Sequence, residues 1–424
     1  MARGAPVRPV ATVATQAPSK RRVDTFGALR RHPNFRLYWS GALVSNMGTW
    51  MQNVAQAWLV YQLTGSAFLL GTVSFLQALP ALFLSLLGGV LADRVERRML
   101  MIVTQTAAML LAFVLAGLAL AGVVRVEHIM IMAVLLGLVN ALNVPVRQGI
   151  ISDLVPRADL QNAIAVSSAQ FQASRLVGPA LAGIVIARVG PGWAFFVNGL
   201  SFIAVIVSLL LLKLPPWTPP EQKTPVWRSA KEGLSFVYRH EVIGTLVLIA
   251  AVPALFAFSY QTLMPVFAQN VLHVGPQGLG ILLSATGAGA LLGALTVASL
   301  PNFRHRGRLQ LTASAVYGVG LVVFALSRNI ALSIPILIVA SACSMTFTSL
   351  NQTFLQSYAP DAMRGRVLSV LTLTTFGMMP LGNMLAGTVA QHFGAPLAVG
   401  IGGAVTACFA AGVLLFNPTV RRLE

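Results

Sequence analysis

The chain has 424 residues, of which 56% are hydrophobic and only 9% are charged. Its mean hydropathy is +0.77. Soluble domains carry about 25% charged residues, which cover their surface. The composition therefore excludes a soluble globular protein and predicts an integral membrane protein, whose exterior is solvated by lipid. The formal net charge of +18 would suggest nucleic acid as a partner, but the positions of the charges explain it differently.

Apolar windows follow one another along most of the chain. A window of about 20 apolar residues is long enough to cross the core of a bilayer. Twelve such windows are found, at residues 37–62, 67–92, 99–122, 128–152, 162–188, 192–213, 242–272, 277–299, 309–327, 330–357, 365–392 and 396–417. We expect residues 1–35 to form a disordered basic arm, because they contain no apolar segment of signal-peptide length. Residues 418–424 form a short tail.

The basic residues alternate from loop to loop. If the N-terminus is cytoplasmic, 24 of the 29 Lys and Arg residues fall in cytoplasmic segments. The external loops then hold three, Arg125, Arg188 and Arg328, and the last two, Arg147 and Arg175, lie within spans. This asymmetry follows the positive-inside rule. It predicts cytoplasmic termini, and it makes the net charge a sign of membrane topology rather than of nucleic-acid binding.

The polar, proline-rich segment 214–241 divides the spans into six and six. Residues on its two sides match without gaps at fixed offsets. At an offset of 204, the matched glycines are Gly178, Gly183 and Gly190 with Gly382, Gly387 and Gly394; at an offset of 209, Gln52 and Gly71 match Gln261 and Gly280. The repeat predicts two related bundles, at residues 36–213 and 242–417, joined by a cytoplasmic linker.

A dense charge cluster separates the second and third spans. Charges of that density cannot lie in hydrocarbon, so they indicate a short aqueous loop. The pattern comprises Gly89, Asp93, Arg94, Arg97 and Arg98. It resembles the signature loop of the major facilitator superfamily. The resemblance implies an all-α membrane protein with twelve transmembrane helices in two pseudo-symmetric six-helix halves, and a cytoplasmic gate built from these charges. A plain positive-inside anchor is the alternative.

Two further segments carry a narrower resemblance. Residues 145–156 and 175–183 are similar to the enterobactin-exporter and macrolide-efflux branch of that superfamily. The resemblance implies a secondary transporter that exports a small amphipathic molecule, drug-like or siderophore-like, by alternating access, with proton antiport as the family expectation. Asp153 is then expected to pair with the loop arginines at the cytoplasmic gate, or else to be a simple interfacial charge. Gly178, Pro179 and Gly183 form a helix-packing and kink motif.

Arg175 lies deep in the fifth span, where a charge is costly and is usually functional or paired. Two interpretations remain open. The side chain either binds backbone carbonyls around the Gly178–Pro179 kink or contacts an anionic or polar substrate. Other candidates for lining a substrate cavity are amides, aromatic residues and methionines of spans one, seven and eleven: Asn46, Gln52, Asn53, Gln56, Gln261, Met264, Phe376 and Asn383. The amides could equally connect helices to one another.

The sequence contains no phosphate-binding loop, no metal-ligand spacing and no catalytic triad. We therefore expect no enzyme activity, no metal and no cofactor. The expected partners are a small-molecule substrate, the lipid bilayer and protons, and we expect a monomer in a bacterial inner membrane. Competing interpretations are an uptake permease or uniporter, a lipid flippase of the same fold, and a membrane sensor that transports nothing.

Overall fold

The structure is a computed structural model that describes residues 24–213, 234–300, 303–361 and 363–423; side chains are described throughout these ranges except at residues 82–94, 144, 145 and 148. Twelve long helical segments follow one another in the described ranges, which contain no strand: α1 Pro33–Thr64, α2 Ala67–Arg94, α3 Arg97–Leu120, α4 Val126–Leu154, α5 Arg157–Val189, α6 Pro191–Leu211, α7 Glu241–Phe256, α8 Gly275–Ser299, α9 Arg306–Leu326, α10 Ile330–Tyr358, α11 Arg364–Phe393 and α12 Ala395–Phe416. The prediction of an all-α protein is confirmed for these residues.

Nine segments within the described residues are long and apolar enough to cross a membrane. The other three are α1, α2 and α5. Helix α1 carries several amides and α5 has many polar residues, whereas the apolar part of α2 with described side chains is Ala67–Ala81. Within the part of the chain whose side chains are described, length and composition alone therefore support nine spans.

Helix ends follow from local sequence. Gly190 alone separates α5 from α6, and Gly394 alone separates α11 from α12. Both residues have a positive φ, 90° and 89°, which glycine adopts at little cost. Because the two residues are matched in the sequence repeat, the same tight corner is built twice.

Helix packing repeats after six helices. In the first half, α1 packs on α5 and α6, α2 on α4, and α3 on α4 and α6. In the second half, α7 packs on α11 and α12, α8 on α10, and α9 on α10 and α12. Adding six to the helix numbers of each pair in the first half gives the corresponding pair in the second half. The main contacts between the halves are α5 with α8 and α11 with α2. These two contacts are also equivalent, because α11 is the repeat counterpart of α5 and α8 is that of α2.

The bundle has two ends, which we call the basal and the far face. At the basal face, where α1 begins and α6 ends, the Asn34 side chain donates to the Lys213 carbonyl at 2.9 Å. At the far face, the Ser66 hydroxyl donates to Gln391 Oε1 at 2.9 Å, and Asn270 Nδ2 donates to the Tyr61 hydroxyl at 2.6 Å. Both far-face bonds join residues of the first half to residues of the second.

Small residues bring the two halves together on the far side. A Cβ at Gly280 would lie 2.9 Å from Gly183 Cα, and one at Gly387 would lie 3.2 Å from Gly71 Cα. The two contacts are equivalents in the repeat, one between α5 and α8 and the other between α2 and α11. Glycine permits this close approach because it has no side chain.

Helix α7 does not continue to residue 272 as the predicted seventh span does. It ends at Phe256 and is followed by a 3₁₀ turn at Phe258–Gln261, one α-turn at Met264–Val266 and a π turn at Phe267–Val271. Pro253 and Pro265 lie beside the break, and each lacks the N–H that a regular helix requires. The last residues of α7, just before the break, pack on Gly382 of α11 and Gly402 of α12, where a Cβ would overlap the carbonyls of Leu255 and Phe256.

Part of the predicted arm is folded. Residues 24–35 are folded, with a short helix at Gly27–Arg31 and α1 beginning at Pro33. Asp159 in the first turn of α5 holds this segment through Arg31 at 3.0 Å and His32 at 2.8 Å. The remainder of the arm, residues 1–23, and residues 214–233 of the predicted linker lie outside the described residues.

Candidate functional site

A cavity of about 490 Å³ lies between the two halves. Helices α1, α2 and α5 form one wall, and the α7 break, α8 and α11 form the other. Six of the predicted cavity residues line it: Asn53, Gln56, Arg175, Gln261, Phe376 and Asn383. Much of the remaining surface is apolar and includes Val54, Val60 and Leu283. The cavity thus combines scattered polar groups with a large apolar surface.

Three predicted cavity residues lie elsewhere. Asn46 and Gln52 face a smaller pocket of about 130 Å³ inside the first six helices. There Gln52 Oε1 accepts a 2.6 Å hydrogen bond from the buried Asn198 side chain, which links α1 to α6. Met264 is fully buried in the core of the protein. Gln52 therefore connects helices, and Met264 packs against its neighbours.

Other residues of the cavity wall were not predicted. They include Gln77 and Thr286. The Gln77 side chain accepts a 3.2 Å hydrogen bond from Gln56 Nε2 across the α1–α2 contact. A lone amide in the apolar α2 is a signal from which Gln77 could have been identified. Thr286 gives no such signal, because threonine is common in spanning helices.

Arg175 projects into the cavity and contacts an aromatic ring. Its guanidinium carbon lies 5.7 Å from the centroid of the Trp50 ring. Trp50 meets Phe171 edge to face at 5.9 Å, and the guanidinium of Arg147 lies 5.4 Å from the Phe171 centroid. The two arginines thus flank an aromatic pair. Among the described residues Arg175 has no hydrogen-bond or ion-pair partner, so the structure does not show it binding carbonyls at the kink.

The packing motif of α5 touches both halves of the molecule. A Cβ at Gly178 would lie 2.5 Å from Trp50 Cβ, so Gly178 permits α1 to approach closely. Five residues later, a Cβ at Gly183 would lie 2.9 Å from the Pro276 carbonyl oxygen of α8. Pro179 lies between them and lines the cavity. The motif therefore places Arg175 next to Trp50 while it joins α5 to the second half.

The charge cluster lies at the basal face, on helix ends rather than in an extended loop. Arg97, the first residue of α3, contacts both carboxylate oxygens of Asp153 at 3.0 Å. Gly149 lies directly under this contact, since a Cβ there would lie 2.8 Å from Arg97 Nε. Arg98 instead donates to the carbonyls of Leu209 and Leu210, both at 2.8 Å, at the end of α6.

The other predicted gate residues, Gly89, Asp93 and Arg94, fall in the part of α2 whose side chains are not described. The helix itself runs to Arg94, and α3 begins at Arg97. The connection between the two helices is therefore only Val95 and Glu96.

Solved structures show the same fold. A mutant of the nucleoside transporter NupG superposes with a TM-score of 0.75 at 13% identity, covering 90% of this chain and 99% of that one. A bacterial homologue of the human lysosomal transporter Spinster, described as inward-facing and occupied, gives a TM-score of 0.72 at 13% identity and covers 92% and 98%. At these identities the likeness concerns the fold alone.

Sequence relatives span nearly the whole chain. The staphyloferrin A transporter of Staphylococcus aureus is 25% identical over 380 residues, 88% of this chain and 94% of the relative. The multidrug efflux pump Tap of Mycolicibacterium fortuitum is 28% identical over 362 residues, covering 83% and 88%. The enterobactin exporter EntS of Shigella boydii is 27% identical over 366 residues, covering 85% and 86%.

The profile of a family described as transmembrane secretion effector, MFS_3, matches residues 24–424. This match, together with the relatives, confirms the predicted family and the predicted transport function. The chain therefore belongs to the transmembrane secretion effector family of the major facilitator superfamily, and it is a multi-pass membrane transporter of small molecules rather than an enzyme.

Proposed function

We propose that this protein exports a small amphipathic molecule, siderophore-like or drug-like, by alternating access. The observation that carries the proposal is the cavity between the halves, whose wall combines amides, one arginine and apolar side chains. A site of this composition suits a solute with one polar and one apolar part. Relatives described as an enterobactin exporter and a multidrug efflux pump support the direction of transport.

The proposed topology has twelve spans, with the basal face and both termini in the cytoplasm of a bacterial cell. The distribution of Lys and Arg supports it. The two halves, 36–213 and 242–417, would be the domains that rock against each other around the cavity, as expected for folds built from repeats. Residues 1–35, 214–241 and 418–424 would be the arm, the linker and the tail. The glycine contacts on the far side fit a state in which that side is closed.

The proposed cytoplasmic gate comprises Gly89, Asp93, Arg94, Arg97, Arg98 and Asp153. The bond from Arg97 to Asp153 supports this role, since it joins α3 to α4 at the basal face. Arg98 also donates a hydrogen bond to a backbone carbonyl at the end of α6, so it links α3 to α6. If transport is coupled to protons, Asp93 and Asp153 are the acidic groups of the proposed gate. We propose a monomer as the transporting unit.

Transport in oriented membrane vesicles tests the proposed function. Inside-out vesicles that contain the wild-type protein should accumulate a member of a panel of siderophores, macrolides and dyes, and vesicles with Asp93→Asn should not. Right-side-out vesicles give the opposite orientation. Accumulation confined to them would indicate an uptake permease, movement restricted to lipids would indicate a flippase, and no flux with any compound would indicate a sensor. Each of these outcomes would overturn the export proposal.

A further inference from the structure

We propose that the central cavity selects organic anions and that Arg175 is the residue that binds their negative charge. The inference rests on the proposed function, because it names the substrate class of the same cavity. It also assigns to Arg175 the substrate-binding role that the sequence alone left undecided.

The charge of Arg175 is far from both faces of the bundle. Arg157 begins α5 eighteen residues before it, and Val189 ends α5 fourteen residues after it. At about 1.5 Å per residue, the Cα atom of Arg175 lies roughly 20 Å or more from either end of the helix. A cation at that depth is stable when it faces the bundle interior and has a counter-charge.

No carboxylate supplies that counter-charge in the described helices. None of the 11 Asp and Glu residues of the chain lies more than three residues inside a described helix. Arg175 is partly exposed to the cavity, and its contact with the Trp50 ring is favourable but supplies no full negative charge. A bound anion would supply the missing charge.

Arg147 adds a second positive charge to the same array. It lies on α4, seven residues before the basal end at Leu154, and stacks on Phe171, whose ring meets Trp50. Its described hydrogen bond is a long one, 3.4 Å, to the neutral Asn46 side chain. Arg147, Phe171, Trp50 and Arg175 thus form a row from near the basal face to the cavity. The row presents positive charge along that path.

The rest of the cavity wall favours an amphipathic anion over a cation. Asn53, Gln56, Gln261 and Asn383 are neutral groups that can donate hydrogen bonds. A cationic solute in the same place would meet Arg175 with no carboxylate in the described wall to compensate the repulsion.

Two probes with one skeleton test the inference. 8-Anilinonaphthalene-1-sulfonate and N-phenyl-1-naphthylamine differ by the sulfonate, so their affinity ratio measures recognition of the charge. Binding is measured by fluorescence with the full-length protein in lipid nanodiscs, and the signal of empty nanodiscs is subtracted. The wild-type protein should bind the sulfonate about tenfold or more tightly than the neutral probe, since charged hydrogen bonds are the stronger ones.

Substitutions at Arg175 assign that preference to one side chain. Arg175→Gln should abolish the preference for the sulfonate and leave the affinity for the neutral probe within about twofold, while Arg175→Lys should retain most of the preference. Arg188→Gln is the matched control, because it makes the same change on the same helix at the far face, away from the cavity. It should behave as the wild type.

Two results would overturn the proposal. One is equal affinity of the wild-type protein for the two probes. The other is an equal loss of affinity for both probes in Arg175→Gln, together with a lower unfolding temperature. This result would make Arg175 a structural residue. The outcome is separable from the export test: flux of cations alone would contradict anion selection and leave export standing, whereas absence of flux would contradict export and leave the binding preference intact.

Discussion

At the scale of single residues, the ion pair between Arg97 and Asp153 is the contact whose loss is most informative. Both side chains are about one-third exposed, at 33% and 37%. Exposed pairs of this kind contribute only about 0–1 kcal/mol to folding. A large effect of their removal on transport would therefore concern the movement of the helices rather than their stability.

We expect Arg97→Ala and Asp153→Asn each to reduce transport at least about tenfold while insertion and thermal unfolding stay nearly unchanged, because an exposed ion pair adds little to stability. Flux in vesicles and unfolding in detergent measure the two effects. Asp361→Asn is the matched control, since it breaks an exposed ion pair with Arg364 at the same face in the second half. Wild-type flux in Arg97→Ala would refute the proposed gate.

At the scale of elements, the break in α7 is built on glycine contacts. Phe256, the last residue of α7 before the 3₁₀ and π turns, packs its backbone against α12, and this approach leaves no room for a Cβ at Gly402. The irregular backbone also places Gln261 and Thr262 on the cavity wall. Non-helical backbone at membrane depth is tolerated where protein covers it or where it lines a cavity.

Gly402→Ala should therefore destabilise the protein by about 1–3 kcal/mol or more, because overpacking a close contact displaces the backbone. A lower midpoint of thermal unfolding in detergent would show it. Gly400→Ala, two residues earlier on the same helix, is the control, since a Cβ there meets its nearest neighbour, Ala325, at 3.7 Å. Equal midpoints for the two variants would mean that the α7 break does not depend on this contact.

The seventh segment also shows where sequence reasoning fails. Gln261 and Met264 are three residues apart, so a regular helix places both side chains on nearly the same face. In the broken segment Gln261 lines the cavity and Met264 is buried in the core. Hydropathy reports that the segment is apolar, but it carries no information on a change from α to 3₁₀ and π geometry. The order of the helices and the two matched corners at Gly190 and Gly394 were predictable, because periodicity and glycine placement encode them directly.

At the scale of the whole molecule, the repeat explains how the halves meet. The sequence matches Gly71 with Gly280 and Gly183 with Gly387, and the structure brings Gly71 against Gly387 and Gly183 against Gly280. The internal match indicated related halves, but it could not indicate which partners would touch, because that depends on how the two bundles are placed.

Gly280→Val should disfavour the far-closed arrangement, because its Cβ would lie 2.5 Å from the Pro179 carbonyl oxygen. A cost of about 1–3 kcal/mol at one moving interface shifts the balance of states by roughly 5-fold to 150-fold. Closure of the far side is measured by the yield of a disulfide bond between two introduced cysteines, Ser66→Cys and Gln391→Cys. Cys343 and Cys408 are replaced by Ser in this protein. The disulfide yield should fall in Gly280→Val, and the transport rate should fall with it.

Gly117→Val on α3 is the control for this variant, because a Cβ at Gly117 meets nothing within 4 Å. Cross-linking and flux should both remain at the wild-type level there. Undiminished cross-linking in Gly280→Val would show that the glycine contact does not control closure of the far side.

Two arginines, Arg147 and Arg175, and no carboxylate lie well inside the described helices, and this has a consequence for the energy that drives transport. If the cargo is an anion, each negative charge that leaves the cell moves down an inside-negative electrical potential, a gain of about 2.3 kcal/mol per 100 mV. The membrane voltage alone could then sustain an outward gradient of almost two orders of magnitude per charge at that voltage. Such a carrier would generate an electrical current as it works, and it would need no counter-moving ion.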